Sequence, residues 1–506
     1  MEAVQVVLFK RDLRVRDHGP LREAARRGPV LPLMVVEPEL WAQPDASARQ
    51  WAFCAESLRE LQRELGRLGS PLLLRVGEMV SVLRELDHHL PLGALWSHEE
   101  TGNGWTYGRD RALAAWCRER GIPWHELPQN GVVRRLGSRD GWARRWEERL
   151  GQSPLEAPGA LRAPLELPLA SSGIPSAEEL GLPPDPCPGR QPGGRQAGLE
   201  LLESFLAERG RGYAKGLSSP LTAGHCCSRL SAHLAFGTLS LREVVWASRR
   251  RRGPKAFEER LHWHCHFMQK LESEPALEFR EAHPAYRGLR SPHPERLAAW
   301  SEGRTGLPFV DACQRALRAE GWINFRMRAM LMAVASHHLW LPWRDSGLVL
   351  ARRFVDYEPG IHWNQCQMQA GTTGINTVRV YNPVKQGCDH DPAGRYVRRW
   401  VPELENVPLA HLHTPWTMTA ADQEAAGCRL GVHYPAPIVD PVVAAREARE
   451  RVWAVRRGAD FQERADAIQA RHGSRRSGLA SPRAGVGRRG RRPRDSPGQL
   501  DLFANS

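Results

Sequence analysis

The 506-residue sequence has no apolar run long enough to span a bilayer, which argues against an integral membrane protein. Its ten cysteines include no C-x-x-C pair, so the usual zinc and dithiol signatures are missing. No G-x-G-x-x-G follows an apolar segment in the first 150 residues, and GNGWTYG at 102–108 misses that spacing. The common dinucleotide fingerprint is therefore excluded there. The opening MEAVQVVLFKRDLRVRD is too short in apolar residues for a signal peptide or anchor. A cytoplasmic location and reduced thiols are expected. The cysteines then read as small buried residues, and an iron–sulfur cluster on Cys313, Cys366, Cys388 and Cys428 is the less favoured reading. Tyrosine is scarce, with 7 residues against 18 tryptophans, so aromatic chemistry here rests mainly on indole.

What is present is positive charge, unevenly placed. The chain carries formal +14, yet residues 471–506 hold nine Arg against two Asp and so contribute +7. A basic body with a basic tail suits an anionic partner, nucleic acid first.

Short apolar runs at 4–9, 30–37, 71–77 and 94–100 alternate with helical patterns at 48–68 and 109–120. That alternation predicts a parallel sheet flanked by helices over residues 1–150. Residues 151–194 are rich in Pro and Gly and read as a connector. From 195 to 470 the apolar spacing is helical, and 471–506 has the composition of a disordered Arg-rich tail. The fold class expected is an α/β domain followed by an all-α domain.

FKRDLRVRD, AWSEGRTGLPFVDACQRAL, GWINFRMR, VRVYNPVKQG, DPAGRYVRRWVPEL and YPAPIVD occur in that order. In sequence and spacing they resemble the photolyase and cryptochrome family of flavoproteins from residue 4 to about 456. The resemblance implies an antenna-type α/β domain and a helical domain binding FAD, with a second antenna chromophore as an option. EETGNGWTY at 99–107 lies where antenna contacts form in such proteins.

Carried over residue by residue, the resemblance makes Tyr213 and the run Cys227, Ser228, Arg229, Leu230 and Ser231 the phosphate-gripping segment. Family members commonly have Thr at the position of Cys227. Arg328 and Asp356 match an ion pair beside the flavin, and Glu358 matches the acid that accepts from a ring N–H. His362 stands where the family presents Asn, Asp or Cys to the reactive flavin nitrogen. GTTGIN at 371–376 is expected to pass close to the flavin pocket, and Gln386 matches a DNA-contacting position.

Other positions depart from the repair pattern. Trp263 matches the wall on which an extruded base stacks, but Arg260 replaces a dimer-binding glutamate, His264 an arginine and Met368 a second tryptophan. Asn324 and Phe325 replace a His-Asn pair. His262 and His266 share a helix face, which is consistent with a proton-donor pair, a metal pair or ordinary packing. Trp300 and Trp343 match two members of the family's electron-carrying tryptophan chain; Cys366 takes the innermost place, leaving Trp363 or Trp340 as a substitute or as ordinary packing. The chain ends QLDLFANS, and Gln499, Leu500, Asp501, Leu502 and Phe503 resemble the pentapeptide that docks on the bacterial sliding clamp. The expected protein is thus a monomeric, blue-light-dependent FAD enzyme acting on pyrimidine dimers in DNA, with no metal and no membrane partner. The rival is a cryptochrome-like photoreceptor without repair activity.

Overall fold

The structure is a computed structural model that describes residues 2–165 and 169–474. Strands β1 (Val4–Phe9), β2 (Val30–Val36), β3 (Leu73–Val76), β4 (Leu92–His98) and β5 (Trp124–Leu127) form one parallel sheet in the order β3-β2-β1-β4-β5. Every residue of β1 and β2 is buried, because helices cover both faces of the sheet and leave no solvated side to alternate towards. That is why these two strands read as continuous apolar runs. β5 was not legible in that way: Trp-His-Glu-Leu is an edge strand with no buried residue.

The strand order reverses between β1 and β4, so the loops beyond their carboxyl ends diverge and open a crevice. In that crevice Asp12 Oδ2 lies 3.0 Å from His18 Nε2 and 2.7 Å from His98 Nδ1. The same loop carries Lys10 and Arg11 forward to the helical half. His18 Nδ1 also accepts from Leu21 N, so its Nε2 carries the hydrogen and donates to Asp12. The cluster is therefore a satisfied core contact that fixes the loop.

Among its described residues the connector has neither helix nor strand between the helix Trp142–Leu150 and the helix Arg195–Ala207. It is fastened to both halves. Trp51 Nε1 donates to Pro175 O at 2.9 Å, and Arg49 pairs with Asp185 while donating to Leu317 O and Arg353 O. The helix Trp142–Leu150 falls within the expected 1–150 unit but packs with Leu202, Phe205, Val244 and Leu261 of the helical half. A last helix runs Phe461–His472, with His472 Nε2 2.8 Å from Glu274. The Arg-rich tail beyond residue 474 and the QLDLF motif lie outside the described residues. Among the described residues no helix is long and apolar enough to cross a membrane.

Candidate functional site

Three helices, Lys255–Ser273, Phe325–Ala333 and Pro359–Ala370, enclose two adjoining cavities that share Ser231, His264, Arg328 and Asp356. The inner one is walled by Tyr357, Glu358, His362 and Cys366. Asp356, Tyr357 and Glu358 reach it because the chain leaves the helix Trp343–Arg353 and turns into the next helix at Pro359, whose fixed φ suits a first helical turn.

Arg328 and Asp356 form a bidentate pair, Nη1 to Oδ1 at 3.0 Å and Nη2 to Oδ2 at 2.8 Å. Arg328 Nε donates to Ile323 O, and its guanidinium lies 4.1 Å from the ring centre of Phe354. The expected ion pair is thus formed, with both ends fixed. Glu358 is buried, and its nearest cation, Arg11 Nη2, stands 3.7 Å away. Burial pushes its carboxyl up to about 7, because Arg11 only partly offsets the lost hydration.

His362 Nε2 lies 2.8 Å from Gly347 O, an obligate acceptor, so Nε2 carries the hydrogen. Nδ1 is then the lone-pair atom, and no hydrogen bond reaches it from the described residues. Burial pulls the imidazole down to about 4, so the ring is neutral near pH 7. A neutral His362 with Nε2 committed to Gly347 O can act towards the cavity as a hydrogen-bond acceptor through Nδ1.

The outer cleft, with an open volume of about 1520 Å³, is lined by Tyr213, Cys227, Arg260, Trp263, His264 and Met368. Trp263 is half-buried, its Nε1 has no partner, and its ring lies 5.8 Å from Phe267. Arg260 lies over Phe325 at 5.6 Å. Burial brings His264 down to about 4, so it enters the cleft neutral. Of the run expected to grip phosphate, Cys227 and Ser231 line the cleft, whereas Ser228, Arg229 and Leu230 do not. Ser228 and Cys227 offer their carbonyls to Arg209, and Arg229 stacks on Trp322 at 3.9 Å. Gln386 is half-buried on the helix Pro383–His390, its Oε1 without a partner.

One expectation needs correction. GTTGIN does not wall the inner cavity. Gly374, at φ +76°, turns against the His283 ring, where an added Cβ would meet the ring at 2.4 Å; the segment reaches the outer cleft only from Asn376 onward. His262 and His266 face away from the cleft, His262 packed edge-on between Trp142 and Trp146 at 5.0 Å each and His266 against Arg139. They are packing residues. Trp300 has no exposed surface, whereas Trp363 lies 4.8 Å from His362 and 5.9 Å from Trp343. Among the described residues no three cysteines gather at one point, and Cys388 is exposed while Cys313, Cys366 and Cys428 are buried.

A third cavity lies at the carboxyl ends of β1 and β2, between the sheet and the helical half. Glu100, Gly102, Asn103 and Thr106 of the EETGNGWTY segment line it, with Lys10, Glu37 and Arg109. Arg109 pairs with Glu37 at 3.1 Å and Glu100 at 2.6 Å, yet burial still pushes Glu37 up to about 7. Tyr357 borders both this cavity and the inner one. Sequence reasoning missed Tyr357, although its place between Asp356 and Glu358 was a usable signal.

A family model described as DNA photolyase matches residues 5–137, and one described as the FAD binding domain of DNA photolyase matches residues 257–454. A deoxyribodipyrimidine photo-lyase of Streptomyces griseus is 33% identical over 475 residues, covering 89% of this chain and 98% of its own. A cryptochrome DASH of Gloeobacter violaceus is 30% identical, with 86% and 93% covered. The crystal structure of an archaeal photolyase from Sulfolobus tokodaii with two FAD molecules superposes with a TM-score of 0.75 at 25% identity, covering 89% of this chain and 100% of that one. The inner cavity fits such a cofactor: it offers a fixed cation–carboxylate pair, a buried acid and an imidazole lone pair awaiting a donor.

Proposed function

The chain belongs to the DNA photolyase and cryptochrome family and carries its FAD-binding domain, and we propose that it repairs pyrimidine dimers in DNA under blue light. The observation that supports this reading is the outer cleft, which presents Trp263 and opens onto the inner cavity through a shared wall. A lesion must be turned out of the duplex to reach such a site, and an indole face is what receives an unstacked base. Bound FAD would supply the light absorption and the electron that opens the dimer. The chain's own groups position the partners: Arg328, Asp356, Glu358 and His362 hold the flavin, Trp263 stacks the base, and Arg260, His264, Met368 and Gln386 border the lesion and its backbone. Tyr213 and the segment Cys227 to Ser231 hold the cofactor's phosphates, and Trp363 with Trp343 supplies electrons.

Illumination of purified, reduced protein with oligonucleotides bearing a defined cyclobutane or (6-4) lesion tests the reading, with dark controls. Light-dependent loss of lesion is expected. Trp263→Ala should weaken binding of the damaged oligonucleotide by roughly 1–3 kcal/mol. The altered cleft residues Arg260, His264 and Met368 favour a second reading, a photoreceptor. It would be supported by a light-induced flavin change with both lesions intact.

The cavity beside β1 and β2 is the place we assign to a second chromophore. To Gln499, Leu500, Asp501, Leu502 and Phe503 we assign docking on the bacterial sliding clamp, with two apolar anchors on a basic tether. Removing residues 499–503 should abolish co-elution with the purified clamp, and Leu502→Ala or Phe503→Ala should each cost about 2 kcal/mol of binding. Undiminished co-elution of the truncated chain would refute the assignment.

A further inference from the structure

Tyr357 stands in the wall between the inner cavity and the one beside the sheet. Its hydroxyl donates to Asp45 Oδ2 at 2.6 Å, a short bond that crosses from the helical half to the sheet half. Asp45 is itself held by Asn103 Nδ2, at 3.1 and 3.3 Å from its two oxygens. Arg11 Nη2 donates to Tyr357 O at 2.6 Å, which fixes the backbone. The phenol ring lies 5.2 Å from His362 and 6.4 Å from Trp363. A tyrosine is thus clamped at both ends in contact with the cavity assigned to FAD.

Burial, with the Asp45 charge beside it, holds the phenol well above its ordinary range, so it keeps its proton at any working pH. Loss of an electron turns a phenol into a strong acid, and oxidation is easy only where a base already waits. Trp363, also beside His362, lacks one: its Nε1 is buried with no hydrogen-bond partner among the described residues. Nor does the innermost relay position help, because burial pushes the Cys366 thiol far above its usual range and withholds the thiolate.

We propose that Tyr357 is a proton-coupled electron donor to the flavin site, with Asp45 as the proton acceptor. The inference rests on the FAD reading above. Oxidised FAD excited by light is the oxidant. One electron passes to it from Tyr357, the phenolic O–H bond breaks, and the proton moves across the 2.6 Å bond to Asp45 Oδ2. A neutral tyrosyl radical and a neutral Asp45 carboxyl remain. A thiol reductant in solution returns the electron, and Asp45 returns the proton.

The test uses the full-length, FAD-loaded protein with dithiothreitol, following flavin photoreduction by absorbance and trapped radicals by electron paramagnetic resonance. The native chain should give a tyrosyl spectrum and a slower rate in deuterated water. Tyr357→Phe should lose that spectrum and photoreduce at least about tenfold more slowly. Asp45→Asn, which leaves the phenol in place, should also slow the reaction and remove the isotope effect. FAD content per chain, measured after heat release, checks that each variant is folded. A purely tryptophanyl spectrum, or an unchanged rate in FAD-loaded Tyr357→Phe, overturns this proposal alone. A native chain that takes up no FAD overturns the functional reading and this one with it.

Discussion

Asp356→Ala is expected to destabilise the protein by about 3 kcal/mol and to yield a chain that purifies without FAD. Its carboxylate has 3% exposure and receives both Nη atoms of Arg328, whose Nε is already committed to Ile323 O. Removing the acid leaves the guanidinium against Phe354 with two unmatched donors. Loss of one partner of a buried pair costs about 3–5 kcal/mol. The lower end applies because Arg328 retains 23% exposure and recovers some water. Asp356→Asn, which keeps one acceptor but no charge, should fall between. Thermal melting and flavin absorbance per chain measure the two effects, and an unchanged melting temperature would show that the pair adds nothing to stability.

Glu358→Gln should act in the opposite direction on the flavin-free protein. The acid titrates near 7 in the folded chain against 4.5 when free, so the folded state keeps a proton that the unfolded state has released. Stability therefore falls as pH rises from 4.5 towards 7, and the full penalty persists above that window. Glutamine abolishes it, so the variant should gain roughly 3 kcal/mol at pH 8 and almost nothing below pH 4.5. Glu37 and Glu278 are pushed up to about 7 as well and bend the curves of both proteins. The difference between variant and native chain isolates Glu358. FAD affinity should move the other way, because the amide cannot supply the charge that strengthens acceptance from a ring N–H. Equal pH profiles for the two apo proteins would contradict the burial argument.

Much of this was readable in the sequence, for definable reasons. A parallel sheet covered on both faces writes unbroken apolar runs, and β1 and β2 do so. Arg328 and Asp356 were reached only through the family resemblance, since nothing in residue type alone separates a buried arginine from a surface one. The misses share one physical cause: contacts between segments distant in the chain leave no local period. Tyr357 meets Asp45 across 312 positions, and the helix Trp142–Leu150 packs with Leu202, Phe205 and Leu261 of the other half. Gly374 of GTTGIN did signal a close approach, but sequence could not say that the neighbour is His283.

Arg11 lies two residues beyond β1, yet its side chain serves the helical half: Nε donates to Ala235 O at 2.8 Å, Nη2 to Tyr357 O at 2.6 Å, and Glu358 lies 3.7 Å away. The wall of the inner cavity is accordingly riveted by a residue from the loop after β1. Domain shuffling at the connector would deliver a helical half with that rivet missing. Any chimera that swaps the sheet unit must bring an arginine to the same point, or its chromophore will rest on a loosened base.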